Sequence, residues 1–283
     1  MKLYAISDLH ISHPENLAAL SRMGFYPDDW LLLGGDVCET TSELEACFEL
    51  VTRRFAKVFW VPGNHELWTT TQNPQATRGE YKYLELVALC RKFGICTPED
   101  DYVTWPGPGP ACTIAPLFLL YDYSFRGDAV PRALTPAAAV DYSREHGVVC
   151  VDEELLHSDP YASRIEWCHA RVAYTERRLA ATKGPLILLN HFPIREEDSG
   201  LPMIPTFILW CGTRLTADWP ERFPIHTAVT GHLHIRRDKR NAAGQRFVDV
   251  SLGYPRQRAA DRSIDSFLVE ILPGTPQTRH NIH

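Results

Sequence analysis

The 283-residue sequence lacks any apolar run near the roughly 18 residues that a membrane-spanning helix needs. Its first residues do not form the hydrophobic segment of a signal peptide, because Asp8 interrupts them early. Basic residues are not in excess: the formal net charge is −6, so bulk nucleic acid is only weakly attracted. We therefore expect a cytoplasmic protein that binds neither a membrane nor nucleic acid, and the sequence leaves the oligomeric state open.

Paired cysteine motifs are also missing. The eight cysteines are scattered, and none forms a C-x-x-C pair. Together with the absent export signal, this favours reduced thiols over a disulfide framework. The chain is 45% hydrophobic and 23% charged, which is ordinary for a globular protein and excludes a disordered chain, a collagen or a coiled coil.

What the sequence does contain is a series of short apolar runs, each followed at once by polar residues. Runs of four to six apolar residues with flanking glycine or proline are typical of buried strands. The five runs are Lys2–Ser7, Trp30–Leu33, Lys57–Val61, Pro185–Leu189 and His226–Thr230.

Helical patterns lie between these runs, and further strand patterns follow them. Capping boxes and apolar residues at helical spacing predict three helices. Their signals are Ser42-x-x-Glu45, the stretch Glu80–Phe93, and Ser163-x-x-Glu166 with a stop at Gly184-Pro185. After a turn at Asn241–Gly244, two last strands are predicted at Arg246–Leu252 and Ser266–Leu272. The order predicts an α/β fold with two sheets packed face to face and helices outside.

We expect one domain over residues 1–283, with inserted segments at Tyr121–Pro160 and Arg195–Phe223. Loops of this length in a compact domain are more often functional than idle. Four aromatic residues in or beside the second segment are expected to pack in the core, and a pocket wall for an apolar substrate arm is the alternative. They are Phe192, Phe207, Trp210 and Trp219.

Five strand ends each deliver polar side chains that can bind a metal. Ligand sites in α/β sheets form beyond the carboxyl ends of strands. Oxygen and imidazole ligands without thiolate suit Mn, Fe or Zn, and seven or eight of them are too many for one catalytic zinc. They fit two metals about 3.5–4 Å apart that share a carboxylate. The residues are Asp8, His10, Asp36, Asn64, His65, His191, His232 and His234.

Each of these motifs is weak by itself. Asp8-x-His10 is most often a surface turn, and a lone histidine such as His191 is more often a core residue. Cys38 has no free His/Asp partner and is not assigned as a nucleophile. Glu66 could bond His65 or a metal ligand, or cap the following segment. Only the ordered occurrence of all motifs, each after an apolar run, favours a metal centre.

The ordered motifs D-x-H, G-D, G-N-H-E, N-H and G-H-x-H, from Asp8 to His234, resemble those of the calcineurin-like metallophosphoesterase family. The resemblance implies a four-layer αββα sandwich with two mixed sheets. It also implies that His65 is a catalytic, non-ligating histidine that protonates the leaving oxygen or stabilises the transition state. The implied metal ligands are Asp8, His10 and His234 for one ion, Asn64, His191 and His232 for the other, and Asp36 as the bridge.

The activity implied by this resemblance is that of a binuclear phosphodiesterase in which a metal-bridging hydroxide attacks phosphorus, with Mn²⁺ the ion most expected to support activity. Longer segments, several of them outside the metal motifs, resemble a bacterial subgroup of the family that removes 4′-phosphopantetheine from a carrier-protein serine. These segments include Asp28–Trp30, Val61–Trp68, Phe118–Phe125, Asn190–Pro193, Trp210–Thr213 and Gly253–Arg256. An acyl or peptidyl carrier protein is therefore the expected partner.

Two other functions stay open at this point. The same site could serve a nuclease or a cyclic-nucleotide phosphodiesterase, although the acidic net charge gives a nuclease little support. The basic run Arg236–Arg240 is expected to be a solvated hairpin face rather than a nucleic-acid patch. A scaffold that keeps the fold without catalysis is the third reading, and the complete ligand set argues against it.

Overall fold

The computed structural model describes residues 1–69, 76–259 and 262–274. Its α-helices are α1 Pro14–Ser21, α2 Thr41–Thr52, α3 Asn64–Leu67, α4 Gly79–Lys92, α5 Pro136–Glu145, α6 Asp152–Leu155, α7 Arg164–Ala181 and α8 Trp219–Arg222. Its strands are β1 Leu3–Ile6, β2 Tyr26–Leu33, β3 Phe55–Trp60, β4 Val103–Thr104, β5 Thr113–Pro116, β6 Leu186–Leu189, β7 Ile225–Thr230, β8 Asp238–Arg240, β9 Arg246–Asp249 and β10 Val269–Leu272.

The strands form two mixed sheets. One has the order β10-β1-β2-β3 and the other the order β4-β5-β6-β7-β9-β8. Neighbouring strands are parallel in the middle of both sheets, and the antiparallel pairs β1–β10, β4–β5 and β8–β9 lie at the margins. A bridge between Ser7 and Ser251 joins the ends of the two sheets. The carboxyl ends of β1, β2, β3, β6 and β7 therefore meet along one edge.

Strand residues alternate between two apolar cores. Leu32 and Leu189 belong to a core made of residues from both sheets, whereas Leu33 and Leu188 belong to a second core that also contains helix residues such as Phe48. Alternation of this kind is what a strand buried on both faces produces. The layers are thus helix, sheet, sheet and helix, and the predicted αββα sandwich with two mixed sheets is confirmed.

Several predicted boundaries were wrong, although the elements exist. The capping box of α2 is formed by Thr40 and Glu43, not by Ser42 and Glu45. The helix that begins after Ser163 ends at Ala181, before the predicted glycine-proline stop. The predicted last strand is shorter, because Ile264–Phe267 is a 3₁₀ turn.

The two inserted segments contain more helix than their sequence suggests. The first carries α5 and α6, and the N-cap Thr135 accepts a hydrogen bond from the backbone of Ala138 at the start of α5. The second carries α8 and the 3₁₀ helices Glu196–Asp198, Pro205–Trp210 and Arg214–Thr216. Three of the four aromatic residues predicted for the core, Phe192, Trp210 and Trp219, are fully buried, and Phe207 is partly exposed.

All eight cysteines are free, and six of them are buried. Burial raises the pKa of the Cys38 thiol far above its ordinary range, which makes it a poor nucleophile. None of the described helices is both long enough and apolar enough to cross a bilayer. Of the basic run, Arg236 and Arg237 bond backbone carbonyls of neighbouring segments, and Asp238–Arg240 form the exposed strand β8.

Candidate metal centre

The structure brings all eight sequence-predicted site residues together at the edge where the parallel strands end. Asp8 and His10 follow β1, Asp36 follows β2, Asn64 and His65 begin α3 after β3, and the three remaining histidines follow β6 and β7. For seven of these residues the possible donor atoms fall into three overlapping groups, and within each group the atoms lie within 4.8 Å of one another. These groups are Asp8–His10–His234, His10–Asp36–His65 and Asp36–His191–His232.

The backbone at this edge is strained. Six non-glycine residues of the described chain have positive φ, and five of them are candidate ligands, at 42° to 71°. Such φ values cost free energy in non-glycine residues and cluster at functional sites. These five candidate ligands are Asp8, His10, Asp36, His232 and His234.

Two glycines allow the carboxylates to sit close to neighbouring loops. A Cβ atom on Gly63 would overlap the Asp36 carboxylate, and one on Gly231 would overlap that of Asp8. Neither position accepts a side chain without moving a candidate ligand. This explains why glycine precedes both the N-H-E and the H-x-H motifs.

Asp36 occupies the centre of the site. Its Oδ1 accepts a hydrogen bond from the backbone N–H of His65 at 3.0 Å. Its other oxygen, Oδ2, lies 3.4 Å from His191 Nε2, 3.7 Å from His65 Nε2 and 4.0 Å from His10 Nε2. One carboxylate oxygen thus faces both halves of the site, which is the position of a bridging ligand.

The first half of the site contains Asp8, His10 and His234. His234 Nε2 lies 3.0 Å from His10 Nε2 and 3.2 Å from Asp8 Oδ1. Gln257 Oε1 accepts a hydrogen bond from the backbone N–H of Tyr254, so it must also act as acceptor towards His234 Nδ1 at 2.9 Å. Because Nδ1 then carries the proton, the lone pair of His234 Nε2 points towards Asp8 and His10.

The second half contains Asn64, His191 and His232. Asn64 Oδ1, His191 Nε2 and His232 Nε2 are buried and have no hydrogen-bond partner among the described residues. His191 Nδ1 donates to the carbonyl of Gly34 at 2.9 Å, which leaves Nε2 as the lone-pair nitrogen. Three buried polar atoms without a hydrogen-bond partner, in the same site as Asp36, are donors that a cation would satisfy. The donor set therefore fits a pair of metal ions.

Charge in the site favours a cation as well. Burial alone would raise the pKa of the Asp8 and Asp36 carboxyls, but neighbouring histidines hold both well below their usual range. Burial lowers the pKa of His10 to about 4 and that of His232 to about 3, so both rings are neutral. Asp36 and Asp8 outweigh the effect of burial at the other two candidate histidines, raising the pKa of His191 to about 10 and also that of His234, so each of these rings binds a metal only after losing a proton.

His65 lies at the margin of the site. Its Nδ1 is 3.3 Å from Glu39 Oε1, and its ring packs on Trp68 with centroids 3.7 Å apart. Burial would lower the pKa of His65, but Asp36 and Glu39 outweigh this and raise it. Its geometry also permits a contact to an ion beside His10 and Asp36. A histidine that retains its proton next to a carboxylate can donate it to a leaving group.

Two buried carboxylates, Glu66 and Asp152, support the site through hydrogen bonds to neighbouring groups, and neither is a candidate ligand. Glu66 does not bond His65; it accepts hydrogen bonds from the backbone N–H groups of Asp36, Val37 and Gly63 at 2.8–3.0 Å. It therefore joins the loop after β2 to the start of α3. Of the interpretations open for Glu66, the structure shows two: it bonds a candidate metal ligand through the backbone N–H of Asp36, and it caps the start of α3.

Asp152 is the other supporting carboxylate, and no sequence motif predicts it. Asn64 Nδ2 donates to its Oδ1 at 2.9 Å, and Trp68 Nε1 donates to the same oxygen at 2.6 Å. Tyr121 OH donates to Oδ2 at 3.0 Å. Because its NH₂ group faces Asp152, the Asn64 amide presents Oδ1 to the opposite side. Glu39 and Gln257 were missed as well, since acidic and amide residues near motifs are too common to single out.

A cleft with a volume of about 330 Å³ opens over these residues. Asp36, Asn64, His65, His232 and His234 line it together with aromatic, aliphatic and polar residues from later segments. These are Trp68, Val149, Cys150, Val151, Leu201, Ile204, Phe207, Leu233, Tyr254, Arg256 and Gln257. A cleft that contains reactive polar groups and apolar walls is typical of a substrate site.

Comparison with known proteins agrees with this geometry. Residues 1–236 match the model of the calcineurin-like phosphoesterase family. The chain is 45% identical over 274 residues to the [acyl-carrier-protein] phosphodiesterase PptH of Mycobacterium tuberculosis, a match that covers 96% of this chain and 83% of that protein. It also resembles the crystal structure of phosphopantetheinyl hydrolase (PptH) from Mycobacterium tuberculosis, with a TM-score of 0.89, 44% identity and 96% of both chains covered. The chain belongs to the calcineurin-like phosphoesterase family.

Proposed function

We propose that this metallophosphoesterase hydrolyses the phosphodiester between 4′-phosphopantetheine and a serine of an acyl or peptidyl carrier protein. The observation that carries the proposal is the 45% identity to an acyl-carrier-protein phosphodiesterase over 96% of the chain. The products are apo carrier protein and free 4′-phosphopantetheine. The apolar parts of the cleft wall suit the uncharged arm of this substrate.

We assign one ion to Asp8, His10 and His234, the other to Asn64, His191 and His232, and the bridge to Asp36. The orphan donors and the central Asp36 Oδ2 support this assignment. When bound, two such ions would neutralise phosphate charge and would lower the pKa of a bound water, so that hydroxide is available at neutral pH. Mn²⁺ is the ion that we expect to support activity, because the donors are oxygens and imidazoles.

The protein's own groups then have separate tasks. Asp36, Glu66 and the glycine turns hold the donors in place, and Asp152 orients Asn64. His65 donates through Nδ1 to Glu39, and it gives up the proton of Nε2, which faces the centre, to the serine oxygen as the bond to phosphorus breaks. A serine alkoxide is a poor leaving group, so this proton transfer matters for the proposed substrate.

Two organisational proposals accompany this function. We place the whole of residues 1–283 in one domain, with 121–160 and 195–223 as additions that build the cleft wall. We also propose a cytoplasmic location, which eight free cysteines support, because thiols stay reduced in that compartment.

Mass spectrometry of a holo carrier protein incubated with the enzyme and Mn²⁺ tests the proposed activity. We expect the carrier to lose the mass of phosphopantetheine and the free product to appear. Omission of the metal and the Asp36→Asn variant should both leave the carrier intact. If holo carriers stay intact while bis(p-nitrophenyl) phosphate turns over quickly, the enzyme is a phosphodiesterase with another substrate.

A further inference from the structure

Two loops beside the cleft expose aliphatic side chains. Val149 and Val151 are 65% and 50% exposed, and Met203 and Ile204 are 91% and 42% exposed. These are four of the ten large apolar residues that are exposed in the described chain. Because such residues are clustered in two short loops, they mark a binding surface rather than scattered surface apolarity.

Three of the four line the cleft: Val149, Val151 and Ile204. The partly exposed Phe207 lines it too, and its ring stacks on that of His232 with centroids 5.7 Å apart. We use the name apolar strip for Val149, Val151, Ile204 and Phe207. Since His232 belongs to the candidate metal centre, the strip begins beside the position of the reacting phosphate.

The first part of the strip is not packed on its other side either. Residues 149–151 also border a second cavity with a volume of about 180 Å³, whose walls include Val140, Val148 and Trp210. The backbone N–H groups of residues 149–151 donate no hydrogen bond to a carbonyl of the described backbone. This segment therefore offers both apolar side chains and free amide donors.

We propose that the apolar strip binds the pantetheine arm of the substrate and determines the preference for diesters that carry it. The inference rests on the proposed carrier-protein phosphodiesterase function. The arm is an uncharged chain with a geminal dimethyl group, methylenes and two amides. Its hydrocarbon parts match the side chains of the strip, and its amide carbonyls match the free N–H groups.

The position of the strip favours the arm over the folded carrier protein. The arm is bonded directly to the phosphate and must leave the metal centre through the cleft, where the strip lies. A folded carrier approaches from outside, where Met203 is exposed but does not line the cleft. A polyanion is disfavoured, because Arg256 is the only lysine or arginine among the described residues that line the cleft.

The test compares the double variant Val149→Ser/Val151→Ser with wild type on three substrates. They are a holo carrier protein, a short serine peptide bearing the same phosphopantetheine diester, and bis(p-nitrophenyl) phosphate. We expect KM to rise about tenfold for both arm-bearing substrates, because two exposed valines lose their apolar contact. The small diester has no arm, so its KM should rise less than about twofold.

The matched control is Leu84→Ser, at a 47% exposed leucine on α4 that does not line the cleft. It should leave KM unchanged for all three substrates. Ile204→Ser provides an independent change in the second loop and should raise KM in the same pattern. Turnover of the small diester by each variant shows that its metal centre has formed.

The outcomes separate this inference from the function on which it rests. An unchanged KM for the peptide overturns the strip as an arm site. A rise for the carrier protein alone assigns the strip to protein docking and overturns it as well. If wild type hydrolyses the small diester but neither arm-bearing substrate, the proposed function itself is wrong.

Discussion

The sheet edge that carries the candidate ligands and the wall of the cleft are built in different ways. At the sheet edge, short turns after parallel strands hold each donor, and buried hydrogen bonds from backbone N–H groups to Glu66 connect neighbouring turns. A large part of the wall comes from the inserted segments, where Val149 and Val151 are exposed. We infer that the edge sets the chemistry and the wall sets the substrate, because one is rigidly supported and the other is open to ligand.

Removal of the central donor at the sheet edge should have the largest effect on activity. Asp36→Asn should reduce activity on every diester by ~10³-fold or more, because a bridge stabilises both ions and their effect amounts to several kcal/mol. It should also release more metal than His234→Ala, which removes a donor to one ion. Elemental analysis and kinetics on both variants provide the check, and full occupancy in Asp36→Asn would contradict the bridge.

The second prediction concerns His65, whose proposed role at the sheet edge is the transfer of a single proton. His65→Ala should lower kcat for the carrier-protein substrate by ~10²–10⁴-fold while both metals are retained. The loss should be smaller for bis(p-nitrophenyl) phosphate, whose leaving group needs little protonation. Metal analysis of the variant decides the role, since loss of an ion would make His65 a ligand beside His10 and Asp36.

Asp152 connects the two regions, because it belongs to the first inserted segment and its carboxylate orients Asn64 at the sheet edge. Asp152→Asn removes the negative charge that strengthens the hydrogen bond from Asn64 Nδ2, so the Asn64 amide is held less firmly with its oxygen towards the metal centre. We expect a ~10–100-fold loss of metal affinity or activity, as for other residues that orient a ligand. Added Mn²⁺ should restore much of the activity.

Glu154→Gln is the control for this variant, because Glu154 is an exposed carboxylate on the same helix α6. It should bind metal like wild type. Equal metal affinity of Asp152→Asn and Glu154→Gln would limit Asp152 to a structural role. It would also mean that the cleft wall does not influence metal binding at the sheet edge.

The difference between the two regions also explains what the sequence could predict. Asp8, Asp36 and His191 were found because each follows an apolar run, and a strand end fixes where the next residue lies. Asp152 and Gln257 act from segments far along the chain, and only the tertiary fold brings them to Asn64 and His234. Contacts of that kind leave no local periodicity to read.

The cleft wall shows the same limit. Large aromatic residues such as Trp210 are conspicuous in a sequence, but their size suits them to the core, and Trp210 is fully buried. The strip that faces the cleft is mostly aliphatic, and valines such as Val149 look like ordinary core residues in a sequence. Exposure cannot be read from residue type alone.

Glu39 gives a prediction about pH. The hydrogen bond to His65 lowers the pKa of Glu39, and the Glu39 carboxylate in turn helps to raise the pKa of His65. If protonated His65 is the active form, activity falls as the pH rises through that pKa. Glu39→Gln removes the raising charge, so the alkaline limb of the kcat profile should move to lower pH, with a smaller loss of kcat than in His65→Ala. An unmoved limb would mean that Glu39 does not control the proton of His65.

The smallest effect on catalysis is expected at Trp210, whose Nε1 donates to Glu153 Oε1 at 2.7 Å. Trp210→Phe keeps an aromatic ring in the core but removes this donor, which should lower the free energy of unfolding by about 1–3 kcal/mol. Glu153 keeps its hydrogen bond from Tyr123, so α6 and Asp152 should stay in place and kcat should change little. Urea unfolding and steady-state kinetics test both halves. A large rise in KM for holo carrier protein at unchanged stability would instead place Trp210 among the residues that contact the arm.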